Sequence, residues 1–90
     1  MSCAKVVSGA QVCADYFGAW TEELVRPQCE ISQGTVCLAP CVLPDRFATC
    51  VYYAAAAPDY CYMEHIRGDA AAEAFWESTC PAAGGSWQPN

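Results

Sequence analysis

Cysteine is the residue type in this chain whose number and spacing predict chemistry. The 90-residue chain contains eight cysteines, an even number for so short a sequence. They are dispersed along the chain, at Cys3, Cys13, Cys29, Cys37, Cys41, Cys50, Cys61 and Cys80. Dispersed cysteines in even number are typical of a disulfide framework in a small domain. We therefore predict four disulfides, each contributing about 2–4 kcal/mol to stability.

Metal binding is the alternative interpretation of these cysteines. Structural zinc sites use two ligands a few residues apart, followed by a second such pair. Cys37 and Cys41 have nearly this spacing, but no second pair follows, and His65 is the single histidine. The sequence patterns for haem attachment and for common iron–sulfur clusters are also missing. We expect no metal ion and no cofactor.

Catalysis would have to centre on His65, with Glu64 and Asp69 as nearby carboxylates. Neighbouring residues of a strand point to opposite faces, so His65 and Glu64 are not expected to converge. Oxidised cysteines provide no thiolate nucleophile. Because the sequence does not indicate a combined base, nucleophile and oxyanion donor, we expect no catalytic residues and no enzymatic activity.

The pattern of apolar residues predicts helices at both ends of the chain. Those in residues 11–24 recur at three- and four-residue spacing, which predicts a helix ending before Pro27. Asp69 is a good N-cap for a second helix over residues 70–79, which Pro81 would end. The Gly84-Gly85 pair then lets Trp87 fold back.

The middle of the chain is rich in strand-forming residues. Residues 35–38 predict a short strand, and residues 47–53 and 60–66 predict a hairpin with a loose alanine loop. The expected fold class is α+β: one disulfide-rich domain over residues 1–90, with an N-terminal helix, short antiparallel strands and a C-terminal helix. No internal repeat or linker is expected.

Two disulfide pairs are suggested by these predicted elements, although spacing alone selects no connectivity. A bridge from Cys13 to Cys29 would join the first helix to the segment beyond Pro27. A bridge from Cys61 to Cys80 would hold the last helix on its strand.

Charge and compartment exclude several partners. The net charge is −6, and four basic residues among 90 give no positive patch for nucleic acid. No apolar stretch is long enough for a membrane span. Four disulfides predict a secreted or cell-surface protein. Since residues 1–5 do not begin a secretory signal, we expect export to require a signal that has been removed.

The C-terminal half contains a strand cysteine, an acidic residue, a turn glycine, a helix ending in cysteine, and a Gly-Gly-x-aromatic turn. The positions are Cys61, Glu64, Gly68, Cys80, Gly84, Gly85 and Trp87. In this arrangement the chain resembles a group of small cysteine-rich secreted proteins and lipoproteins of bacteria. The resemblance implies an exported bacterial module and implies no particular reaction.

Aromatic residues form the candidate interaction surface: Trp20, Tyr60, Tyr62, Trp76 and Trp87. They either pack in the core over the disulfides or form an exposed face that contacts sugar rings or another subunit. The tripeptide Arg67-Gly68-Asp69 is an integrin-binding motif in adhesive proteins, but a turn glycine followed by a helix cap explains it without a receptor, and we favour that interpretation.

Two functions remain open. In the first, the chain is a non-catalytic extracellular structural subunit that assembles with copies of itself. In the second, it is a monomeric secreted binding module or effector with a glycan or host-protein ligand. The absence of a charged groove and of a convergent polar site in the sequence favours the first.

Overall fold

The computed structural model describes residues 1–53 and 56–90 of the chain. This part folds into one six-stranded antiparallel sheet with two helices. The elements are β1 (Ser2–Val7), β2 (Ala10–Gly18), α1 (Glu22–Ile31), β3 (Thr35–Cys37), β4 (Ala48–Tyr52), β5 (Tyr60–Arg67), α2 (Ala70–Ala82) and β6 (Ser86–Pro89). The strand order across the sheet is β3-β1-β2-β5-β4-β6. The expected arrangement of an N-terminal helix, a middle sheet and a C-terminal helix is therefore wrong.

The two halves of the chain repeat one topology. The first half runs β1-β2-α1-β3, and the second runs β4-β5-α2-β6. In each half the first strand pairs with both others, and β2 pairs with β5 where the halves meet. The fold is thus an approximate two-fold repeat about the β2–β5 pair, and the expectation of no internal repeat is wrong.

A buried disulfide joins helix to sheet at the same place in each half. Cys3 on β1 is bonded to Cys29 on α1, and Cys50 on β4 is bonded to Cys80 on α2. All four cysteines are at most 2% exposed. We call these two bridges the helix–sheet disulfides. They close chain separations of 26 and 30 residues, so each contributes about 3.5 kcal/mol by restricting the unfolded chain.

A glycine follows each helix where the chain passes the helix–sheet disulfide. A Cβ atom on Gly34 would lie 2.7 Å from the Sγ of Cys3, and one on Gly85 would lie 2.8 Å from the Sγ of Cys80. Both distances are too short for real atoms, so a side chain does not fit at either position. Each glycine lies five positions after its helix cysteine, and this Cys-x4-Gly spacing was the overlooked sequence signal of the repeat.

The packing beneath the two helices differs in volume. Four positions before the helix cysteine, α1 has Val25 and α2 has Trp76, and both are buried. Trp76 packs with the smaller sheet residues Val12 and Ile66 in the main core cluster. Val25 is smaller than Trp76, and the larger sheet residues on this face are tyrosines.

The predicted helix over residues 11–24 is wrong, because strand β2 occupies most of that segment. The apolar residues there also fit a period of two, since Val12, Ala14 and Tyr16 share one face of the strand. Pairing with β1 on one side and β5 on the other satisfies the backbone of β2 within the sheet. The spacing of apolar residues fits both a helix and a strand, and pairing with the two neighbouring strands makes this segment a strand.

A turn signal before β2 marks the hairpin. Ser8 and Gly9 form a two-residue loop between β1 and β2, with φ of 49° and 78°. Two successive residues with positive φ are typical of a type I′ turn, whose twist suits antiparallel strands.

Helix α1 begins later than predicted. The Thr21 hydroxyl accepts a hydrogen bond from the N–H of Leu24 at 3.3 Å and caps the helix. Glu22 and Glu23 are therefore in its first turn, where carboxylates interact favourably with the helix dipole. Pro27 lies inside the helix and does not end it.

The C-terminal half was predicted more accurately. The Asp69 carboxylate accepts a hydrogen bond from the N–H of Ala72 at 2.8 Å, so the predicted N-cap of α2 is confirmed. The predicted hairpin is also confirmed, as β4 and β5 pair antiparallel. Part of its alanine loop, residues 54 and 55, lies outside the described residues. Pro81 lies within α2, which continues to Ala82.

The predicted disulfides need three corrections. The described residues contain three bridges and not four, and both suggested pairs are wrong. Cys13 lies on the sheet face opposite Cys3 and is bonded to Cys41, in the loop after β3. Cys61 points away from α2, because it alternates with the residues that face the helices. Cys37 and Cys61 remain as free thiols.

No helix in residues 1–53 and 56–90 is long and apolar enough to cross a membrane.

Replacing Gly85 with alanine should destabilise the fold by about 1–3 kcal/mol, because the new methyl group overlaps the sulfurs of the second helix–sheet disulfide. Denaturant unfolding under non-reducing conditions measures this change. Ser86→Ala is the matched control, since Ser86 is exposed, and it should stay within about 0.5 kcal/mol of the parent. Equal stability of the two variants would show that the close approach at Gly85 is not a constraint.

Candidate functional site

Strand register brings tyrosines together on the sheet face that carries the helices. Tyr62 on β5 lies between Tyr16 on β2 and Tyr52 on β4, its register partners. The Tyr52 and Tyr62 rings stack at a centroid distance of 4.6 Å, and the Tyr16 and Tyr62 rings stack at 5.6 Å. Trp20 packs edge-on against Tyr16 at 5.1 Å and against Tyr60 at 5.4 Å. We call Tyr16, Trp20, Tyr52, Tyr60 and Tyr62 the aromatic cluster.

A buried carboxylate lies beside the aromatic cluster. Glu64 is 7% exposed, and its Oε2 is 3.5 Å from the Nζ of Lys5. Lys5 is on β1 and Glu64 is on β5, so this ion pair spans β2 above the small side chain of Ala14. Tyr52 lies on the other side, on β4, and hydrogen bonding of its side chain to Glu64 is one cause of the raised pKa of Tyr52. Burial of a charged group is costly unless it is paired, and these two partners compensate it.

The environment of Glu64 affects the acidity of its tyrosine neighbours. Burial raises the pKa of Tyr52 far above its usual value, and the negative charge of Glu64 and the hydrogen bond to it raise that pKa further. Burial followed by the charge of Glu64 also raises the pKa of Tyr16 and of Tyr62. The three hydroxyls therefore remain protonated in the folded state at pH values where free tyrosine ionises.

A groove opens at the end of the aromatic cluster. Its volume is about 310 Å³, and its lining consists of Tyr52, Tyr53, Tyr60, Tyr62, Ala83 and Gly84. Tyr53 and Tyr60 are 64% and 46% exposed. The groove thus offers aromatic rings and tyrosine hydroxyls to solvent beside the C-terminal end of α2.

The opposite face of the sheet contains a second polar cluster. The Nε2 of His65 is 3.0 Å from the Oδ2 of Asp15, and its Nδ1 is 2.9 Å from the hydroxyl of Thr49. The other oxygen of Asp15 accepts a hydrogen bond from the backbone N–H of Cys41 at 2.8 Å. Cys13 is the register partner of His65 and is bonded to Cys41. We call these five residues the histidine cluster.

The histidine cluster has the carboxylate–imidazole–hydroxyl order seen in hydrolytic triads. Thr49 is only 7% exposed, and its hydroxyl is already bonded to His65. The cluster as it stands holds the imidazole in a fixed orientation and keeps the hydroxyl from solvent. Neither of the carboxylates near His65 in sequence joins the cluster: Glu64 lies on the other face, as the alternation of strand residues predicted, and Asp69 caps α2.

The five residues of the candidate interaction surface are in different environments. Trp20, Tyr60 and Tyr62 belong to the aromatic cluster. Trp76 is 6% exposed in the core beneath α2. Trp87 is partly buried and packs near Phe47 at a ring distance of 6.2 Å.

The residues of the Arg67-Gly68-Asp69 tripeptide each have a structural role. Arg67 donates hydrogen bonds to the carbonyl of Pro44, at 3.1 Å, and to the side chain of Gln11. A Cβ atom on Gly68 would contact that of Ala72, and Asp69 caps α2. The tripeptide therefore serves as the strand end, turn and cap.

The two free thiols lie on different strands. Cys37 is exposed at the end of edge strand β3, and Cys61 is partly buried on β5, with its thiol donating to the carbonyl of Pro58 at 3.1 Å. Two strands separate β3 from β5, which places the cysteines about 14 Å apart across the sheet. A disulfide requires Cα atoms within about 7 Å, so these thiols cannot bridge within one chain.

No protein-family model matches the chain, and neither the curated proteins nor the solved structures include a significant match. The site must therefore be interpreted from its own geometry.

The raised tyrosine pKa values predict a loss of stability in alkali. Above pH about 10 the tyrosines ionise in the unfolded chain before Tyr52 ionises in the folded one. The unfolded state then binds fewer protons, so the free energy of unfolding falls as pH rises. Denaturant unfolding between neutral pH and pH about 11 should show this fall, and Tyr52→Phe should reduce it. Tyr53→Phe controls for the loss of one hydroxyl, and an equal effect of both variants would contradict the assignment to Tyr52.

Proposed function

We propose that this protein is an extracellular structural subunit that assembles with copies of itself through the edge strand β3, with Cys37 as the covalent link. The observation that carries the proposal is an exposed free thiol on an open sheet edge, in a chain whose three disulfides already bond six of the eight cysteines. The three disulfides are compatible with an oxidising compartment outside the cell, where an exposed thiol meets other thiols and pairs with them.

The two edges of the sheet differ in their readiness to pair. Edge strand β6 ends with Pro89, which has no N–H to donate, and the backbone N–H of Asn90 is bonded to Phe47. Edge strand β3 contains neither proline nor a charged residue in its sequence Thr-Val-Cys. Short length also protects a sheet edge, and β3 has three residues, but an edge strand that lacks proline and charge presents its unpaired backbone groups to another chain. We therefore assign the contact to β3.

Antiparallel pairing of two β3 strands also suits the disulfide. Directly opposed residues in such a pair have Cα atoms about 4.5 or 5.5 Å apart, within the range that a disulfide spans. A two-fold axis near Cys37 would place this residue opposite its own copy. The sheet would then continue from one subunit into the next.

Exposed apolar side chains surround this edge. Leu38 is 71% exposed and Val42 is 87% exposed. A groove of about 410 Å³ runs beside β3 and is lined in part by Val6, Val42 and Leu43. Apolar surface of this kind favours burial against a protein partner, and its position next to Cys37 supports a second copy as that partner.

Loss of Cys37 should abolish the covalent dimer. Under oxidising, non-reducing conditions we expect intact-mass analysis of the parent chain to give twice the chain mass, with one bridge between subunits. Cys37→Ser should give the monomer mass, and the matched variant Cys61→Ser should remain dimeric because Cys61 is partly buried in the middle of the sheet. Sedimentation at several concentrations would measure the non-covalent contact that remains in Cys37→Ser. A parent chain that stays monomeric with two titratable thiols would contradict the proposal.

A glycan-binding module is the second candidate, and the tyrosine-lined groove favours it. The volume of about 310 Å³ is at the lower end of the range for small-ligand sites. Tyrosine rings supply apolar faces for the faces of sugar rings, while their hydroxyls supply hydrogen-bond donors and acceptors.

Tyr60→Ala should weaken saccharide binding by about tenfold or more if the groove is a glycan site, since it removes an exposed ring of the lining. Calorimetry with a panel of soluble oligosaccharides tests this. Phe75→Ala removes an aromatic ring of equal exposure from α2, outside the groove, and should leave binding unchanged. Absence of binding across the panel, or equal losses in both variants, would exclude this function.

A further inference from the structure

We propose that the histidine cluster is a redox-gated zinc site, in which reduction of the Cys13–Cys41 disulfide releases two thiolate ligands beside His65 and Asp15. The inference is independent of assembly through β3, because it uses neither Cys37 nor Cys61.

The donor atoms already converge in the oxidised protein. The Nε2 of His65 and the Oδ2 of Asp15 are 3.0 Å apart. A sulfur of Cys41 lies within 4.8 Å of a donor atom of each of these residues. In a tetrahedral zinc site, bond lengths of about 2.0–2.3 Å place neighbouring ligand atoms about 3–4 Å apart. Zinc would thus replace the proton shared by His65 and Asp15, and the nearby sulfur would need to move little.

Cys13 supplies the fourth ligand. It is the register partner of His65 on the adjacent strand, and its sulfur is bonded to that of Cys41. The donors that already converge are those of Asp15, Cys41 and His65, so the Cys13 sulfur has to move toward them after the bridge opens. Two thiolates, one imidazole and one carboxylate give a net charge of −1 with Zn²⁺. Soft sulfur and imidazole nitrogen select zinc over Ca²⁺ and Mg²⁺, which prefer oxygen ligands.

The residues around these ligands also suit a metal. A zinc-bound histidine normally has its second ring nitrogen hydrogen-bonded, and here Nδ1 is 2.9 Å from the Thr49 hydroxyl. A hydroxyl can donate or accept, so Thr49 can bond to His65 both before and after zinc occupies Nε2. The second oxygen of Asp15 is held by the N–H of Cys41, which leaves Oδ2 for the metal.

The gate is the disulfide itself. Its two sulfurs are not thiolates while they are bonded to each other, so the oxidised protein offers only His65 and Asp15. A dithiol reductant breaks the sulfur–sulfur bond by donating two electrons and two protons, and is itself oxidised to a disulfide. Both thiols then release their protons as they bind zinc.

The Cys13–Cys41 bridge is the disulfide most open to a reductant. Cys41 is only partly buried and lies in a loop between β3 and β4, whereas both sulfur atoms of each helix–sheet disulfide belong to residues at most 2% exposed. Thiol–disulfide exchange requires access of the attacking group to a sulfur. Mild reduction should therefore open this bridge first and leave both helices attached to the sheet.

The test uses the full chain with Cys37 and Cys61 replaced by serine, so that the only free thiols come from the gated bridge. A water-soluble phosphine reduces the bridge without competing for metal; the phosphine becomes its oxide with oxygen from water, and the two hydrogens go to the sulfurs. Alkylation and peptide mapping should locate the new thiols at Cys13 and Cys41. Opening of either helix–sheet disulfide first would overturn the gating.

Metal binding is then measured with zinc alone by calorimetry and with cobalt(II) by absorption spectroscopy. We expect one zinc per reduced chain, and cobalt should give thiolate charge-transfer bands with the intense visible bands of tetrahedral coordination. His65→Gln and Asp15→Asn should each lower the zinc affinity at least about tenfold, and Thr49→Val should lower it by about 10–100-fold. Glu77→Gln, an exposed control, should have no effect.

Two results would overturn the proposal. Equal zinc affinity of oxidised and reduced chains would show that the disulfide is not a gate. Unchanged affinity in both His65→Gln and Asp15→Asn would show that two cysteines bind metal without the rest of the cluster. Thr49→Val keeps the result interpretable if either of these variants fails to fold, because it retains all four ligands.

Discussion

The close approach of backbone and sulfur at the helix–sheet disulfides constrains most of this structure. Each helix is attached to the first strand of its half, and the chain leaving the helix passes the bridge so closely that only glycine fits. After passing the bridge, the chain forms β3 on the outer side of β1 in the first half and β6 on the outer side of β4 in the second half. Both helices must then lie on one face of the sheet. The other face is left to loops and to side chains that no helix covers.

The same constraint bears on why the two halves differ in the side chains that lie between helix and sheet. Because each disulfide fixes the distance between helix and sheet, the space between them has a set volume. That volume is filled by the helix residue four positions before the helix cysteine, which is Val25 or Trp76, and by the strand residues beneath it. Trp76 fills this space in the second half, and aliphatic side chains suffice on the sheet. Val25 is smaller, and the tyrosines of β2 and β5 occupy the corresponding region. The stacked tyrosines and the buried Glu64 thus lie in one half of a helix-bearing sheet face whose other half is filled by Trp76 and aliphatic residues.

Sequence reasoning predicted the parts of the fold that local signals determine. Asp69 caps α2 through its own side chain, and the strand-forming residues of β4 and β5 flank a turn, so both could be inferred without the tertiary structure. Strand β2 could not, because its apolar residues satisfy helical and strand spacing alike. Pairing on both sides decides between them. The misplaced helix explains the wrong partner predicted for Cys13, whereas the wrong partner predicted for Cys61 follows from the strand face on which it lies.

Which residues meet in the candidate sites is determined by strand register, which is not visible in the sequence. Asp15 and His65 are 50 residues apart, and only the β2–β5 pairing brings them onto one face in adjacent rows. Because strand side chains alternate, His65 and its neighbour Glu64 belong to different clusters on opposite sides of the sheet. One face therefore has a carboxylate that is buried, paired and surrounded by tyrosines. The other has a carboxylate and an imidazole beside the most accessible disulfide.

The exposure of the three disulfides also differs between the two faces. The two helix–sheet disulfides are shielded by the helices that they attach to the sheet. The Cys13–Cys41 disulfide lies on the opposite face, where a loop covers it. This difference in burial between the faces of one sheet is the basis for the proposed difference in redox chemistry between otherwise similar disulfides.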